Sequence, residues 1–283
     1  MRRHWQSKIL TLLGLAATLF SACAPEQTAV IPAPEAEKPV AVYRSHLADL
    51  NLIPGDRKVT VQWRMVGGEV ISGFDIFIID QDEAQNPDAM SQARPFNPTV
   101  YPGDTNPDDG VVEFSAENLV NGVKYAVWVR IVRADGTFSE PTDIKSTVCG
   151  PRSEISLGLR YRNENDGYSL VKNVASKADA SDNDLYFYRK DGVNYLASPS
   201  LLNGYLRATK FKFVPYKGID AMRDVTDGRE SAPADDKVPV KAGDWVWLVT
   251  AEGFNAVLHI LEIKREEMSL YFTLCPLAGE KIF

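Results

Sequence analysis

Lys124-Tyr125-Ala126-Val127-Trp128-Val129-Arg130-Ile131 decides the fold. Tyr125, Val127, Val129 and Ile131 fall on one face and Lys124, Ala126, Trp128 and Arg130 on the other, the period of two that marks a half-buried β-strand. The period recurs in Val59, Val61 and Trp63 against Thr60, Gln62 and Arg64, after the turn Pro54-Gly55-Asp56. It recurs again in Phe74, Ile76 and Ile78 against Asp75, Phe77 and Ile79, after Gly73. Asp135-Gly136 then turns the chain into a further strand. Short strands separated by turn residues predict a β-sandwich over residues 41–150. Trp128 shares its face with Lys124 and Arg130, so it is expected to lie across a charged ladder. Residues 80–110 read as a long, polar, Pro-rich insertion before the next strand.

Residues 151–283 predict a second β domain. Candidate strands are Ile155–Tyr161, Asp184–Arg189, Val193–Ala197 after a tight Asp191-Gly192 turn, Phe211–Val214, Asp244–Thr250, Phe254–Ile263 and Met268–Cys275. Asp244-Trp-Val-Trp-Leu-Val-Thr250 is apolar on both faces, as a central strand should be. Tyr186, Tyr188, Tyr195, Tyr205, Tyr216, Trp245 and Trp247 make this half rich in rings. Such rings serve a core or an exposed binding platform, and core packing is the expected use. The fold class is therefore all-β, with two β-sandwich domains.

The chain opens with Arg2, Arg3 and Lys8, an apolar run from Ile9 to Phe20, and Ser21-Ala22-Cys23. The run is about a dozen residues where a spanning helix needs roughly 20, which favours a cleaved signal peptide over a permanent membrane span. Phe20-Ser-Ala-Cys23 resembles the lipobox of bacterial lipoproteins, with Phe20 where Leu is usual. That resemblance implies a signal peptide over residues 1–22, lipidation of Cys23 by a diacylglycerol thioether and an N-acyl chain, and stable anchoring in the cell envelope. Ala24 in place of Asp implies, within the same family, transport to the outer membrane; whether the protein faces the periplasm or the surface is open. Residues 23–40 hold the lipidated cysteine and a Pro-, Ala- and Glu-rich linker, a semi-extended spacer of about 3 Å per residue.

Residues 41–150 also resemble a fibronectin type III domain. The match rests on Trp63, Ile71-x-Gly73-Phe74, Leu119-x-Asn121-Gly122-x-x-Tyr125 and Gly136-x-x-Ser139-Glu140-Pro141, with Phe74 in place of the commoner Tyr. It implies a tyrosine corner at Tyr125. The second domain is similar, through Asp184-Leu-Tyr-Phe-Tyr188 and Gly243-Asp-x6-Thr250-x-x-Gly253-x-Asn255-Ala256, to a loosely defined class of envelope β-sandwich modules, and that similarity brings no site with it.

The net charge is −7, and loss of residues 1–22 removes three basic and no acidic residues, taking it to −10. An acidic chain argues against nucleic-acid partners. Asp104-Thr-Asn106-Pro-Asp108-Asp109-Gly110 is the one metal-like string, since alternate oxygens suit calcium. Asp109 stands where an EF-hand turn takes Gly and Ser115 where it takes the bidentate Glu, so a solvated turn is expected. His46 and His259 complete no triad, and no nucleophile elbow, metalloprotease helix, paired-cysteine motif or phosphate loop occurs. No cofactor is expected.

Cys149 and Cys275 remain once Cys23 is acylated. Export would allow them to pair, closing a long loop worth up to about 4–5 kcal/mol. The alternative is a linker thiol and a buried strand thiol that never meet. The expected role is a non-catalytic binding or scaffolding lipoprotein of the bacterial envelope, held to the membrane by its lipid and engaging an envelope protein or glycan. The alternative is an accessory of a glycan-processing or other envelope enzyme with a site in the second domain.

Overall fold

The computed structural model describes residues 44–103, 110–229 and 231–283. The signal, Cys23, the linker to residue 40, and Asp104, Asn106 and Asp108 lie outside the described residues.

The first sandwich has two antiparallel three-stranded sheets. One holds β1 (His46–Gly55), β2 (Lys58–Val66) and β4 (Val112–Ala116) in the order β1-β2-β4; the other holds β3 (Ile71–Asp80), β5 (Lys124–Arg133) and β6 (Lys145–Val148) in the order β3-β5-β6. The alternating apolar residues meet between them: Val59, Val61 and Trp63 face Phe74, Ile76, Val127, Val129 and Ile131, all buried. Trp63 and Phe74 meet edge to face with centroids 5.1 Å apart. The tyrosine corner is formed, for the Val120 amide donates to the Tyr125 hydroxyl at 2.9 Å beside buried Leu119.

The 80–110 insertion is more than a polar excursion. It starts with two short helices, α1 (Gln81–Ala84) and α2 (Pro87–Gln92), whose first turns are capped by the Asp80 and Asn86 carboxyl and amide oxygens. Ala84, Met90 and Ala93 from this segment pack on Phe77, Ala126 and Trp128, the outer face of β3 and β5. The charged ladder expected around Trp128 is thereby corrected: the indole is 6% exposed and lies flat on Phe77 at 4.9 Å. Arg130, on the same face, pairs with Asp75 at 2.7 Å and its guanidinium lies 3.7 Å from the Phe138 ring centre. Periodicity assigned Trp128 to its face correctly but carried no information on what covers that face. The insertion then returns along β3. Buried Asn97 accepts from the Ile76 amide and donates to the Phe74 carbonyl, and Phe74 and Tyr101 exchange backbone hydrogen bonds. Gly73 is required there: its φ is +142°, and a Cβ would come within 2.3 Å of the Tyr101 carbonyl oxygen.

The second sandwich has two five-stranded antiparallel sheets. The first contains β7 (Arg152–Gly158), β12 (Lys210–Val214), β14 (Trp245–Val249), β15 (Asn255–Ile263) and β16 (Glu267–Cys275), in the order β12-β14-β15-β16-β7. The second contains β8 (Gly167–Ser169), β9 (Val174–Ser176), β10 (Leu185–Lys190), β11 (Val193–Ala197) and β13 (Lys237–Pro239), in the order β13-β11-β10-β8-β9. Leu157, Leu185, Phe187, Leu196, Phe211, Leu248, Leu258 and Phe272 fill the space between. β14 is interior to its sheet, as its sequence predicts. Its second face is covered by α3 (Ile219–Thr226), whose Ala221 and Val225 pack on Val214, Trp247 and Val257. Trp247 donates its indole N–H to the Asn255 side chain at 2.9 Å. A buried carboxylate ties the two sheets' loops: Asp184, fully buried, accepts from Arg207 at 2.6 Å and from the Leu170 amide at 2.7 Å.

The core of the first sandwich ends at Cys149 and that of the second begins at Ile155. Between them, the Gly150 amide donates to Gly55 and the Leu274 amide to Pro151. The pairing offered for Cys149 and Cys275 is corrected here, because both are free, buried thiols. The Cys149 thiol packs in the first core and donates to the Lys58 carbonyl at 3.3 Å. Burial pushes Cys149 up to about 11 and raises Cys275 as well, so neither is readily ionised.

Replacing Tyr125 by Phe removes the corner hydrogen bond and leaves the ring. Urea unfolding should register a loss of about 1 kcal/mol with an unchanged slope; an unaltered midpoint would deny the corner any energetic role.

Candidate functional site

β10 and β11 form a hairpin in which Leu185, Phe187 and Leu196 point into the core, and the strand period therefore sends Tyr186, Tyr188 and Tyr195 to the outer face. Tyr188 and Tyr195 are register partners, their rings parallel within 16° and 5.1 Å apart. Tyr186 continues the row at 5.6 Å from Tyr188. Each end carries a cation. Arg160 places its guanidinium 5.5 Å from the Tyr186 ring, and Lys237 on β13 places its ammonium 5.3 Å from Tyr195. Tyr188 and Tyr195 each spend one ring face on the other, while Tyr186 is tilted 30° to Tyr188 and buried with Ala178 and Ala197.

Arg160 is anchored from several directions. Its backbone N–H donates to the Phe187 carbonyl, its fork lies 3.5 Å from Asp166, and buried Asp166 also accepts from the Ala178 amide at 2.6 Å. The next residue, Tyr161, has φ +65°, a conformation that non-glycine residues rarely adopt. Its ring is 86% exposed and stacks over Arg160, with 4.5 Å between guanidinium and centroid. Two hollows meet at Arg160, Tyr161 and Arg162. One of about 490 Å³ runs past Tyr186, Tyr188, Arg189 and Leu202 and has no acidic residue in its wall. The other, of about 340 Å³, mixes Lys177 with Glu164, Asp166 and Asp179. Burial, reinforced by the neighbouring Tyr188 phenol, pushes Tyr186 up to about 12. The face offers phenol hydroxyls, aromatic edges and guanidinium groups, the side chains that dominate binding hot spots between proteins.

The expectation of core packing for the rings of this half holds for Trp247 and for Tyr186, which is buried with Ala178 and Ala197. Tyr186 is 4% exposed but on the outer face, Tyr188 and Tyr195 are half-buried, and Tyr216 and Tyr205 are 50% and 99% exposed. The reason is the hairpin register, which puts alternate tyrosines on the side away from the partner sheet. Trp245 stacks flat on His259 at 4.5 Å, so that histidine is held by a ring rather than by a hydrogen bond; burial and the nearby Lys217 push its pKa down. Among the described residues no group of three His, Cys, Asp or Glu is placed to hold a metal, and no helix is long and apolar enough to cross a membrane. Arg160, Tyr161, Arg162 and Lys237 were missed in the sequence, where only the tyrosines flanking Asp191-Gly192 gave a signal.

No family model and no curated protein matches the chain. Among solved structures the chain is similar to a twitchin kinase region from C. elegans (Fn31-NL-kin-CRD-Ig26), at 13% identity and a TM-score of 0.25. The match covers 80% of this chain and 38% of that one, and at this TM-score no fold or function is drawn from it.

Because Tyr186 is protonated more tightly when folded, its contribution to stability is complete below the ordinary phenol pKa of about 10 and is lost as pH rises through the folded value. Absorbance titration of the phenols should contain a late phase near pH 12, accompanied by unfolding, that Tyr186→Phe removes. A late phase that survives in the variant would assign it elsewhere.

Proposed function

We propose that the chain is a lipid-anchored protein of the bacterial envelope whose second sandwich binds an envelope protein through the tyrosine face. The observation that carries the binding reading is the row Tyr186, Tyr188 and Tyr195, closed at its ends by Arg160 and Lys237 and overhung by exposed Tyr161. A strained backbone that displays a large ring to solvent costs stability without serving the core, which supports a role in recognition. Tyr188 and Tyr195, each with one ring face spent on the other, leave less open face for a sugar to stack on, which favours the protein over the glycan as partner. The net negative charge supports partners other than nucleic acid. The anchor reading rests on Phe20-Ser-Ala-Cys23, and Ala24 in place of Asp favours the outer membrane, with the linker of residues 23–40 as tether.

Two measurements test this. A photo-crosslinking amino acid at position 161 or 188, in intact envelopes, should yield one discrete adduct that is absent from position 120 of the first sandwich and abolished by Lys237→Glu. Equal labelling from position 120, or an adduct indifferent to the charge reversal, rejects the face as the binding site. For the anchor, labelled palmitate should enter the protein and not its Cys23→Ser variant, which should leave the membrane fraction; label in the variant overturns the assignment.

A further inference from the structure

A cleft of about 790 Å³ separates the turn of the β1–β2 hairpin from the outer face of the second sandwich, away from the tyrosine row. Arg57, Lys58 and Thr60 line it from the first sandwich and Arg152 and Tyr271 from the second. Several buried polar side chains lack a hydrogen-bond partner among the described residues, and Arg152 has two such atoms, Nε and Nη2. Its cross-strand neighbour Thr273 is fully buried with its hydroxyl equally unmatched. Burial pulls the pKa of Arg152 down, offset only in part by Tyr271, Cys149 and Cys275. Buried charges are ordinarily paired, and a guanidinium is a planar fork of donors that fits an oxyanion with two parallel hydrogen bonds.

The charges around the cleft narrow the ligand. Arg57, Lys58 and Arg152 stand against Asp56 and Glu117, and Asp56 already accepts from the Asn121 amide at 2.8 Å. One surplus positive charge suits a single carboxylate better than a phosphate dianion. The volume falls in the range of small-molecule sites, about 300–1,000 Å³.

We propose that this cleft is a binding site for a small carboxylate-bearing molecule, with Arg152 as its bidentate partner and Arg57 and Lys58 approaching from the opposite wall. The site is independent of the tyrosine face, and either can fail without the other.

Calorimetric titration of the full chain in detergent, at fixed ionic strength, compares N-acetylalanine, its methyl ester and inorganic phosphate. The free acid should bind and the ester should not, and Arg152→Lys should weaken the acid roughly tenfold or more, since a point charge replaces the fork. Circular dichroism checks that this variant is folded. Should it not fold, the exposed pair Arg57→Ala and Lys58→Ala supplies the same test, with an expected loss of about threefold from removing charge at the rim. Phosphate binding as tightly as the acid, equal binding of the ester, no binding of any of the three, or an affinity unmoved by these substitutions would each overturn the proposal.

Discussion

The alternation of side chains across a strand governs this molecule, because a sheet that turns one face to its partner must dispose of the other. Three different covers are used. In the first sandwich, Phe77 and Trp128 are roofed by the segment that carries α1 and α2. In the second, α3 closes over Trp247 and Val257. The outer face of β10 and β11 is covered unevenly: Tyr186 is buried with Ala178 and Ala197 under Leu202, whereas Tyr188 and Tyr195 are covered partly by each other and by Lys237. Tyr188 and Tyr195 are the rings left half-covered, and the proposed binding face is built on them.

The same constraint explains the two oddities of backbone and charge. Tyr161 takes a left-handed conformation at the point where the chain leaves β7 and crosses the end of the hairpin, pinned by the bond from Arg160 to Phe187. Arg152 sits at the first residue of β7, on the face away from the second core, in the cleft against the first sandwich. One guanidinium thus finds rings and Asp166, while the other finds a cleft.

Much of the architecture could be read from residue order alone. Strands such as β2, β5, β10, β11 and β15 announce themselves by a period of two or by a Gly-containing turn, and the tyrosine corner follows from Leu119 and Tyr125. What escaped was short or non-local. β8, β9 and β13 have three residues each, too few to show a period, and the helices over Trp128 lie in a stretch whose polarity reads as solvent-exposed loop. The tyrosines of the site were visible as residue types, but their assignment to the outer face needed the register of β10 against β11. Arg160 and Lys237 lie far from them in sequence and join them only through the fold.

Gly150 carries a further consequence. A side chain there would strike the Leu274 carbonyl oxygen at 1.9 Å, and at Gly122 another would come within 2.9 Å of the Pro276 carbonyl oxygen. Lys124 in the first sandwich also pairs with Glu280 in the tail of the second at 2.7 Å. Neighbouring modules in a chain are usually interchangeable because a slack connector absorbs any new companion. Here the connector is itself packed on both sides, so neither sandwich is a free-standing part that recombination could lift into another protein. Cutting the chain between them would strip packed cover from both Gly122 and Gly150, so the two sandwiches stand or fall as one part.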